Sequence, residues 1–130
     1  MSRQFTYNKE ERLKSRKLIE QLFSKGKNMS EFPVKVLYDF VEDISMPLQA
    51  GVTTSSRKFK KAVERNRVKR ILLETYRLQK LPLQQALEKQ KLSLSTFFIY
   101  TGKDLPVYAE VYKKMGIILQ KLESDVRNLS

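Results

Sequence analysis

The pattern of hydrophobic and polar positions predicts helices and strands along most of the chain. Near the N-terminus, apolar residues recur at helical spacing between Ser15, which is placed to cap a helix, and Gly26, which is placed to end it. Residues 32–41 alternate like a β-strand, although further apolar residues on the other face indicate that this face is partly buried. Residues 48–54 end in β-branched side chains and predict another strand.

The second half of the chain predicts two long helices with a strand between them. The first helix covers residues 62 to about 79 and ends before Pro82, and residues 84–91 form a short helix or a polar connection. Residues 94–101 predict a strand. The last helix starts near residues 104–106. Its apolar stripe is expected to lie in the core and contains Tyr108, Val111, Tyr112, Met115, Ile118, Leu119, Leu122 and Val126.

These elements predict one α+β domain in the order α, β, β, α, β, α, with room for a third short strand. The length of 130 residues fits a single domain spanning residues 1–130, in which we expect residues 1–10 to form a flexible N-terminal arm. There is no apolar run of the roughly 18 residues that a membrane span requires, and the N-terminus lacks the apolar core of a signal peptide. We therefore expect a cytoplasmic protein.

The charge of the chain indicates a polyanionic partner. There are 26 Lys and Arg against 14 Asp and Glu, which gives a net charge of +12. Such an excess favours nucleic acid first and an anionic membrane surface second, although the membrane role lacks a basic amphipathic helix with aromatic anchors. The chain contains no Cys and no His, which excludes disulfides, zinc fingers, thiol nucleophiles and the most common general base. A basic protein with no such partner is the less favoured interpretation.

The positive charge is concentrated in one stretch. Eight of the fourteen residues from 57 to 70 are Lys or Arg, and only Glu64 is acidic. On the predicted helix, Val68 and its apolar neighbours face the core, while Arg65, Asn66, Lys69 and Arg70 share one arc beside them. Arginine, lysine and asparagine side chains in one arc are suited to bind phosphates.

A solvated helix face is the alternative interpretation of this arc. Such a face would be stabilised by ion pairs between residues four apart, and only Glu74, four residues after Arg70, is well placed as a partner. Arg67 points to the other flank of the helix, so we expect it to make a different contact.

The sequence AVERNRVKR, at residues 62–70, resembles the signature of the bacterial ribonuclease P protein component. The Arg-Asn-Arg-x-Lys-Arg core is complete, the upstream GVTTSSRKFKKAV is similar to the family's approach to its helix, and RLKSRKLIEQLFSKG is similar to its N-terminal basic helix. The resemblance implies a small two-layer α/β sandwich like domain 2 of ribosomal protein S5. It also implies a left-handed β-α-β crossover, which periodicity cannot indicate because about 98% of such crossovers are right-handed.

The resemblance also implies a function. The family's protein binds a large catalytic RNA, and the complex removes the 5′ leader from precursor tRNA with Mg²⁺ held mainly by the RNA. The expected partners are this RNA, in a 1:1 complex with a monomeric protein, and precursor tRNA. We expect neither catalytic nor metal-ligating residues in this chain, because it has no His or Cys and no compact group of carboxylates.

Two sets of candidate binding residues follow from this resemblance. The set expected to bind RNA comprises Arg57, Lys58, Lys60, Lys61, Arg65, Asn66, Arg67, Lys69 and Arg70. The set expected to bind the leader, in a cleft between a helix and one sheet face, comprises Lys14, Arg16, Phe23, Val34, Val36 and Tyr38. For Phe23 and for the alternating residues of the strand, a place in the core is the competing interpretation.

Three other functions remain open at this point. A structural protein that binds ribosomal RNA would share the charge and the fold class. A helix-turn-helix protein that binds DNA would be mostly helical, and the two predicted strands argue against it. A nuclease that acts without RNA would require catalytic groups that this composition lacks.

Overall fold

The computed structural model describes residues 11–41, 46–55 and 57–129. The N-terminal arm predicted for residues 1–10 therefore lies outside the described residues. In chain order, the helices and strands are α1 (Arg16–Lys25), β1 (Lys27–Glu31), β2 (Val34–Val41), β3 (Leu48–Thr54), α2 (Ala62–Gln79), α3 (Leu81–Gln90), β4 (Ser93–Tyr100) and α4 (Tyr108–Arg127).

The strands form one mixed sheet in the order β1-β2-β4-β3. The β1–β2 and β2–β4 pairs are antiparallel, and the β3–β4 pair is parallel. Parallel neighbours need a crossover connection, and here α2 and α3 provide it. The α+β class is confirmed. The left-handed crossover and the likeness to ribosomal protein S5 stay predictions.

The main core lies between one face of the sheet and helices α2, α3 and α4. Successive residues of a strand point to opposite faces, and the register aligns Val36 of β2 with Phe98 of β4 and Val52 of β3. On the helix side, Val68, Leu72 and Tyr76 of α2 are fully buried. Tyr76 packs against Phe98 with 5.4 Å between ring centroids. The predicted apolar stripe of α2 is therefore confirmed, and it extends to Tyr76.

The opposite face of the sheet carries a second, smaller apolar cluster under α1. Leu37 of β2 aligns with Phe97 of β4, and both pack with Leu22 of α1 and Leu13 of the preceding segment. Ser15 accepts a hydrogen bond from the backbone N–H of Leu18 and so caps α1, as predicted. The partial burial of this second face, indicated by the imperfect alternation of residues 32–41, is confirmed.

Three predicted elements need correction. The strand predicted for residues 32–41 begins at Val34 and pairs with a short polar strand, β1, which carries no clear apolar pattern. The region after α2 is a helix that begins at Leu81, with a proline in its first turn, rather than at residue 84. The last helix begins at Tyr108 rather than near residues 104–106.

The placement of Tyr108 and Tyr112 in the core is wrong. Tyr108 is 42% exposed and Tyr112 is 40% exposed, and the two rings stack on each other with 6.2 Å between centroids. The same side of α4 is covered further along the helix, where Leu83 of α3 lines a groove with Leu119. The two tyrosines precede that covered part of α4, whereas Met115 is fully buried as predicted.

Candidate nucleic-acid interface

The loop between β3 and α2 is folded so that its lysines and arginine are exposed, with Lys58 Nζ donating a hydrogen bond to the Thr101 carbonyl oxygen at 2.9 Å. Ser55 accepts hydrogen bonds through its Oγ from the backbone N–H groups of Arg57, at 3.2 Å, and Lys58, at 3.4 Å. Phe59 is buried and packs against the ring of Tyr100 at 6.0 Å. This apolar anchor leaves the four basic side chains of the loop exposed: Arg57, Lys58, Lys60 and Lys61.

Arg65 connects this loop to helix α2. Its Nη1 donates hydrogen bonds to the carbonyl oxygens of Phe59, at 2.9 Å, and Lys60, at 2.8 Å. Arg65 is half-buried, so part of its guanidinium group holds the loop against the first turns of the helix. The structure thus gives Arg65 a structural contact, and its predicted contact with RNA stays a prediction.

The exposed side of α2 continues the basic surface of the loop. Asn66, Arg67 and Arg70 are exposed, and Lys69 is half-buried. Arg67 and Arg70 together line a shallow depression of about 530 Å³ beside Val63. Arg67 therefore belongs to the same surface as Arg70, although the helical projection placed it on another flank. We call the nine residues of this loop and helix the basic surface: Arg57, Lys58, Lys60, Lys61, Arg65, Asn66, Arg67, Lys69 and Arg70.

The cations of the basic surface are not neutralised within the part of the chain that the structure describes. The ion pairs between described residues join Arg77 to Glu74, Lys80 to Glu11, Lys121 to Glu31 and Arg127 to Glu123. Glu74, the one carboxylate suited to pair with Arg70, instead accepts a hydrogen bond from Arg77 Nε at 2.8 Å. A helix face stabilised by internal ion pairs is therefore not what the structure shows, and the basic surface is available to an external polyanion.

The predicted leader-binding residues divide between the two faces of the sheet. Val34 and Val36 are 0% exposed and Tyr38 is also buried, all within the main core. A side chain without exposed surface offers nothing for RNA to contact, so the assignment of Val34 and Val36 to leader binding is wrong, and Tyr38 is likewise a core residue. Alternation showed that these residues share a face, but it did not show which face the helices cover.

The remaining leader-binding candidates lie on or next to α1. Phe23 is 58% exposed, and its ring meets the edge of the Phe97 ring at 5.6 Å between centroids. Lys14 and Arg16 are exposed at the start of α1. These three residues therefore stand on the α1 side of the sheet, which we define as helix α1 together with the strand residues beneath and beside it.

The strand register adds residues to the α1 side that the sequence did not identify. Lys35 of β2 pairs with Ile99 of β4, which in turn pairs with Thr53 of β3. These three residues lie two positions along their strands from the Leu37–Phe97 pair and on the same face. These three residues are partly exposed, whereas Leu37 and Phe97 are covered. The sequence could have indicated this, because residues two apart in a strand share a face. Lys35 therefore lies on the same face as Leu37, opposite to Val34 and Val36.

Any metal centre in this chain would rely on clustered carboxylates, because the chain contains no His and no Cys. Across residues 11–41, 46–55 and 57–129, no group of three or more Asp and Glu side chains is placed to hold a metal ion. Of the helices in these ranges, none combines the length and the apolar character needed to cross a membrane.

The fold and the two surfaces define a class of protein, namely a small, basic, RNA-binding protein of the α+β class. The family model for ribonuclease P matches residues 7–123. The ribonuclease P protein component of Porphyromonas gingivalis strain W83 is 30% identical over 123 residues, which cover 94% of this chain and 90% of that protein. The chain therefore belongs to the ribonuclease P protein family.

Other relatives and solved structures agree with this membership. The ribonuclease P protein component of Borrelia hermsii is 34% identical over 99 residues, covering 76% of this chain and 80% of that protein. A structure of the Staphylococcus aureus RNase P protein superimposes with a TM-score of 0.68 at 17% identity, covering 85% of this chain and 94% of that one. A second structure of that protein gives a TM-score of 0.65 at 19% identity, covering 89% of this chain and 92% of the other. At these identities the structures support the fold.

Proposed function

We propose that this chain binds the RNA subunit of ribonuclease P through the basic surface and the 5′ leader of precursor tRNA through the α1 side of the sheet. As a ribonuclease P protein component, the chain is part of the endonuclease that matures the 5′ end of tRNA, and it has an RNA subunit and a tRNA substrate as partners. The observation that carries the proposal is the concentration of cations on the basic surface, none of which forms an ion pair with another residue that the structure describes.

The basic surface suits a folded RNA because it combines forked and point-like donors on one rigid support. The guanidinium groups of Arg67 and Arg70 can bind phosphate oxygens in pairs, and lysine ammonium groups neutralise phosphates as point charges. Helix α2 is held by a fully buried stripe, and Arg65 fastens the loop to it. Little conformational freedom of the backbone is therefore lost when RNA binds.

The α1 side of the sheet suits a single strand because it offers an exposed aromatic ring among cations. Phe23 presents a ring to solvent, and Lys14, Arg16 and Lys35 lie on the same side of the sheet. Stacking of one base on an aromatic ring contributes about 1–3 kcal/mol, whatever the identity of the base. This arrangement favours a contact with the leader that tolerates different leader sequences.

The chain has no His and no Cys, so it lacks the most common general base and any thiol nucleophile for hydrolysis. Hydrolysis of the phosphodiester is assigned to the RNA subunit with Mg²⁺, which the RNA mainly holds, and the protein supplies binding and orientation. We further propose that one monomer of the protein joins one RNA in the cytoplasm.

Salt dependence tests the contact with the RNA subunit. With about 6–10 phosphate contacts, affinity should fall about 10³- to 10⁵-fold between 50 and 200 mM salt. Arg67→Ala and Arg70→Ala should each weaken binding and lower the magnitude of the log–log slope by about 1. Lys113→Ala, which removes an exposed cation from α4, is the matched control and should leave the slope unchanged. If the log–log salt slopes of Arg67→Ala and Arg70→Ala equal that of the Lys113→Ala control, the assignment of RNA binding to the basic surface is contradicted.

Leader binding is tested separately with precursor and mature tRNA. Phe23→Ala in the reconstituted complex should lower affinity for the precursor by about 5- to 150-fold, the equivalent of 1–3 kcal/mol from one lost stacking contact. The affinity for mature tRNA should not change. Phe32→Ala removes another exposed ring, 69% exposed, from the turn between β1 and β2, and serves as the control. An equal loss in both variants would refute the assignment of the leader to the α1 side.

The alternative of a structural protein that binds ribosomal RNA is not favoured by the family match over residues 7–123. It predicts tighter binding to ribosomal RNA than to the RNA subunit of ribonuclease P. The same salt titration, run with both RNAs, decides between the two functions.

A further inference from the structure

A buried ion pair joins the segment before α1 to the far side of the sheet. Lys80 Nζ donates to Glu11 Oε1, and the two residues are 1% and 3% exposed. Lys80 lies between α2 and α3, and its ammonium group is 6.0 Å from the centroid of the Tyr76 ring. Since Tyr76 packs in the main core, the ion pair belongs to the helix side of the molecule and not to the α1 side.

The chain then passes around the edge of β3 to reach α1. Arg12 forms a parallel bridge with Ala50, and the Leu13 N–H donates to the Ala50 carbonyl at 2.9 Å. Leu13 is buried in the small cluster under α1. Two residues later, Ser15 caps the helix. Five residues thus connect an anchor on one side of the sheet to the first turn of α1 on the other.

Helix α1 has few other strong anchors. Leu22 is the only fully buried residue within its ten residues, and Leu18 and Ile19 are partly buried. A helix held by so little apolar surface depends on its entry segment for its exact position over the sheet. The entry segment in turn depends on Leu13 and on the Glu11–Lys80 pair.

We propose that Glu11 and Lys80 are positioning residues that fix α1 over the sheet and so set the contacts with the 5′ leader. This inference rests on the proposed leader-binding role of the α1 side. Replacing a buried ion pair by apolar or neutral groups of similar size is often harmless to stability, so a positioning role explains this pair better than stabilisation does. The pair fixes the place where Lys14 and Arg16 leave the sheet edge.

The test uses a double variant, because removing one residue alone leaves the other charge buried without its partner in this ion pair. Glu11→Gln with Lys80→Met removes both charges and keeps the approximate volumes. The matched control is Glu31→Gln with Lys121→Met, which removes the ion pair of 2.6 Å between β1 and α4. The first measurement is the hydrogen-exchange rate of the α1 amides in the free protein. The second is the ratio of the affinities for precursor and mature tRNA in the reconstituted complex.

The expected result is faster exchange in α1 and a loss of discrimination of about tenfold in the Glu11/Lys80 double variant, with unchanged affinity for the RNA subunit. The Glu31/Lys121 control should match the wild type in both measurements. Wild-type discrimination in the Glu11/Lys80 variant would overturn the proposal, and so would unchanged exchange in α1. If the wild-type complex itself does not discriminate, the proposed leader function fails, whereas the exchange rates still decide whether the pair positions α1.

Discussion

Gly51 of β3 lies beside Phe97 and Leu13 on the α1 side of the sheet, and adding one methyl group there perturbs the packing of both residues. A Cβ at Gly51 would lie 2.7 and 2.8 Å from two ring carbons of Phe97 and 3.4 Å from the Leu13 carbonyl oxygen. Gly51 and Phe97 are direct partners in the register of β3 and β4. Carbon atoms do not approach so closely, so Gly51→Ala must displace the Phe97 ring, which Leu22 and Phe23 contact from above.

The cost of this substitution follows from its geometry. The ring must move by roughly 0.5–1 Å to restore ordinary contact distances of about 3.5 Å. Overpacking of this kind typically destabilises a protein by about 1–3 kcal/mol. For a domain of this size, that corresponds to a lowering of Tm by about 3–12 °C. Because the displaced ring lies under α1, affinity for precursor tRNA should also fall while affinity for the RNA subunit does not.

A double-mutant cycle provides the assay. Urea unfolding of Gly51→Ala, Phe97→Leu and the double variant gives three changes in the free energy of unfolding. Since the smaller leucine side chain leaves room for the methyl group, the double variant should be at least about 1 kcal/mol more stable than the sum of the single changes predicts. Additivity within about 0.5 kcal/mol would show that the two residues do not clash and would refute the reasoning.

Three further predictions concern the loop, a helix end and the ionisable groups. Arg65→Ala should destabilise the protein by about 1–2 kcal/mol because two loop carbonyls lose their donor, whereas Arg67→Ala should change unfolding in urea by less than about 0.5 kcal/mol. Lys91 has φ 56° at the end of α3, so Lys91→Gly should stabilise the protein by about 0.5–1 kcal/mol in the same assay, and a destabilisation would contradict this. Burial, with a smaller effect of Asp125, raises the pKa of the Tyr38 hydroxyl. The folded protein therefore holds this proton more tightly, and the resulting stability is complete below the ordinary pKa near 10 and is lost as the pH rises through the raised pKa of the folded protein. Tyr38→Phe should flatten the alkaline fall in unfolding free energy, and an unchanged fall would count against it.

The parts of the fold that the sequence predicted well are those whose pattern is local. Helix α2 begins at residue 62 and ends at residue 79 as predicted, because its apolar stripe and the following proline mark both ends. Helix α1 was equally clear from Ser15 and Gly26. In each case, the residues that decide the structure are neighbours along the chain.

The parts that the sequence did not predict depend on partners distant along the chain. Strand β1 is polar and exists because it pairs with β2, so its own pattern gave little sign of it. Val34 and Val36 alternate correctly, but only the packing of α2 and α4 decides that their face is the core. Lys80 and Glu11 are 69 residues apart, and nothing local distinguishes Lys80 from the exposed lysines near it.

The candidate site shows the same division. The basic surface was evident from residues 57–70 because phosphate binding needs only charge and exposure. The hydrogen bond of Arg65 to the loop and the pairing of Glu74 with Arg77 could not be predicted from the sequence. Each depends on the side-chain rotamer, which selects one partner among several within reach. The proposed leader-binding set required the strand register, which places Lys35 on the α1 side of the sheet and Val34 and Val36 on the opposite face.

Reconstituted cleavage of a 5′-extended precursor tRNA at low Mg²⁺ tests the central claim most directly. Four samples are compared: the protein alone, the cognate RNA subunit alone, both together, and the RNA with the Arg67→Ala/Arg70→Ala variant. The account predicts that the wild-type mixture cleaves at the mature 5′ end, that neither component cleaves efficiently alone, and that the double variant needs higher protein concentration for the same rate. Cleavage by the protein alone, or no gain when the protein is added to its RNA, would contradict the account.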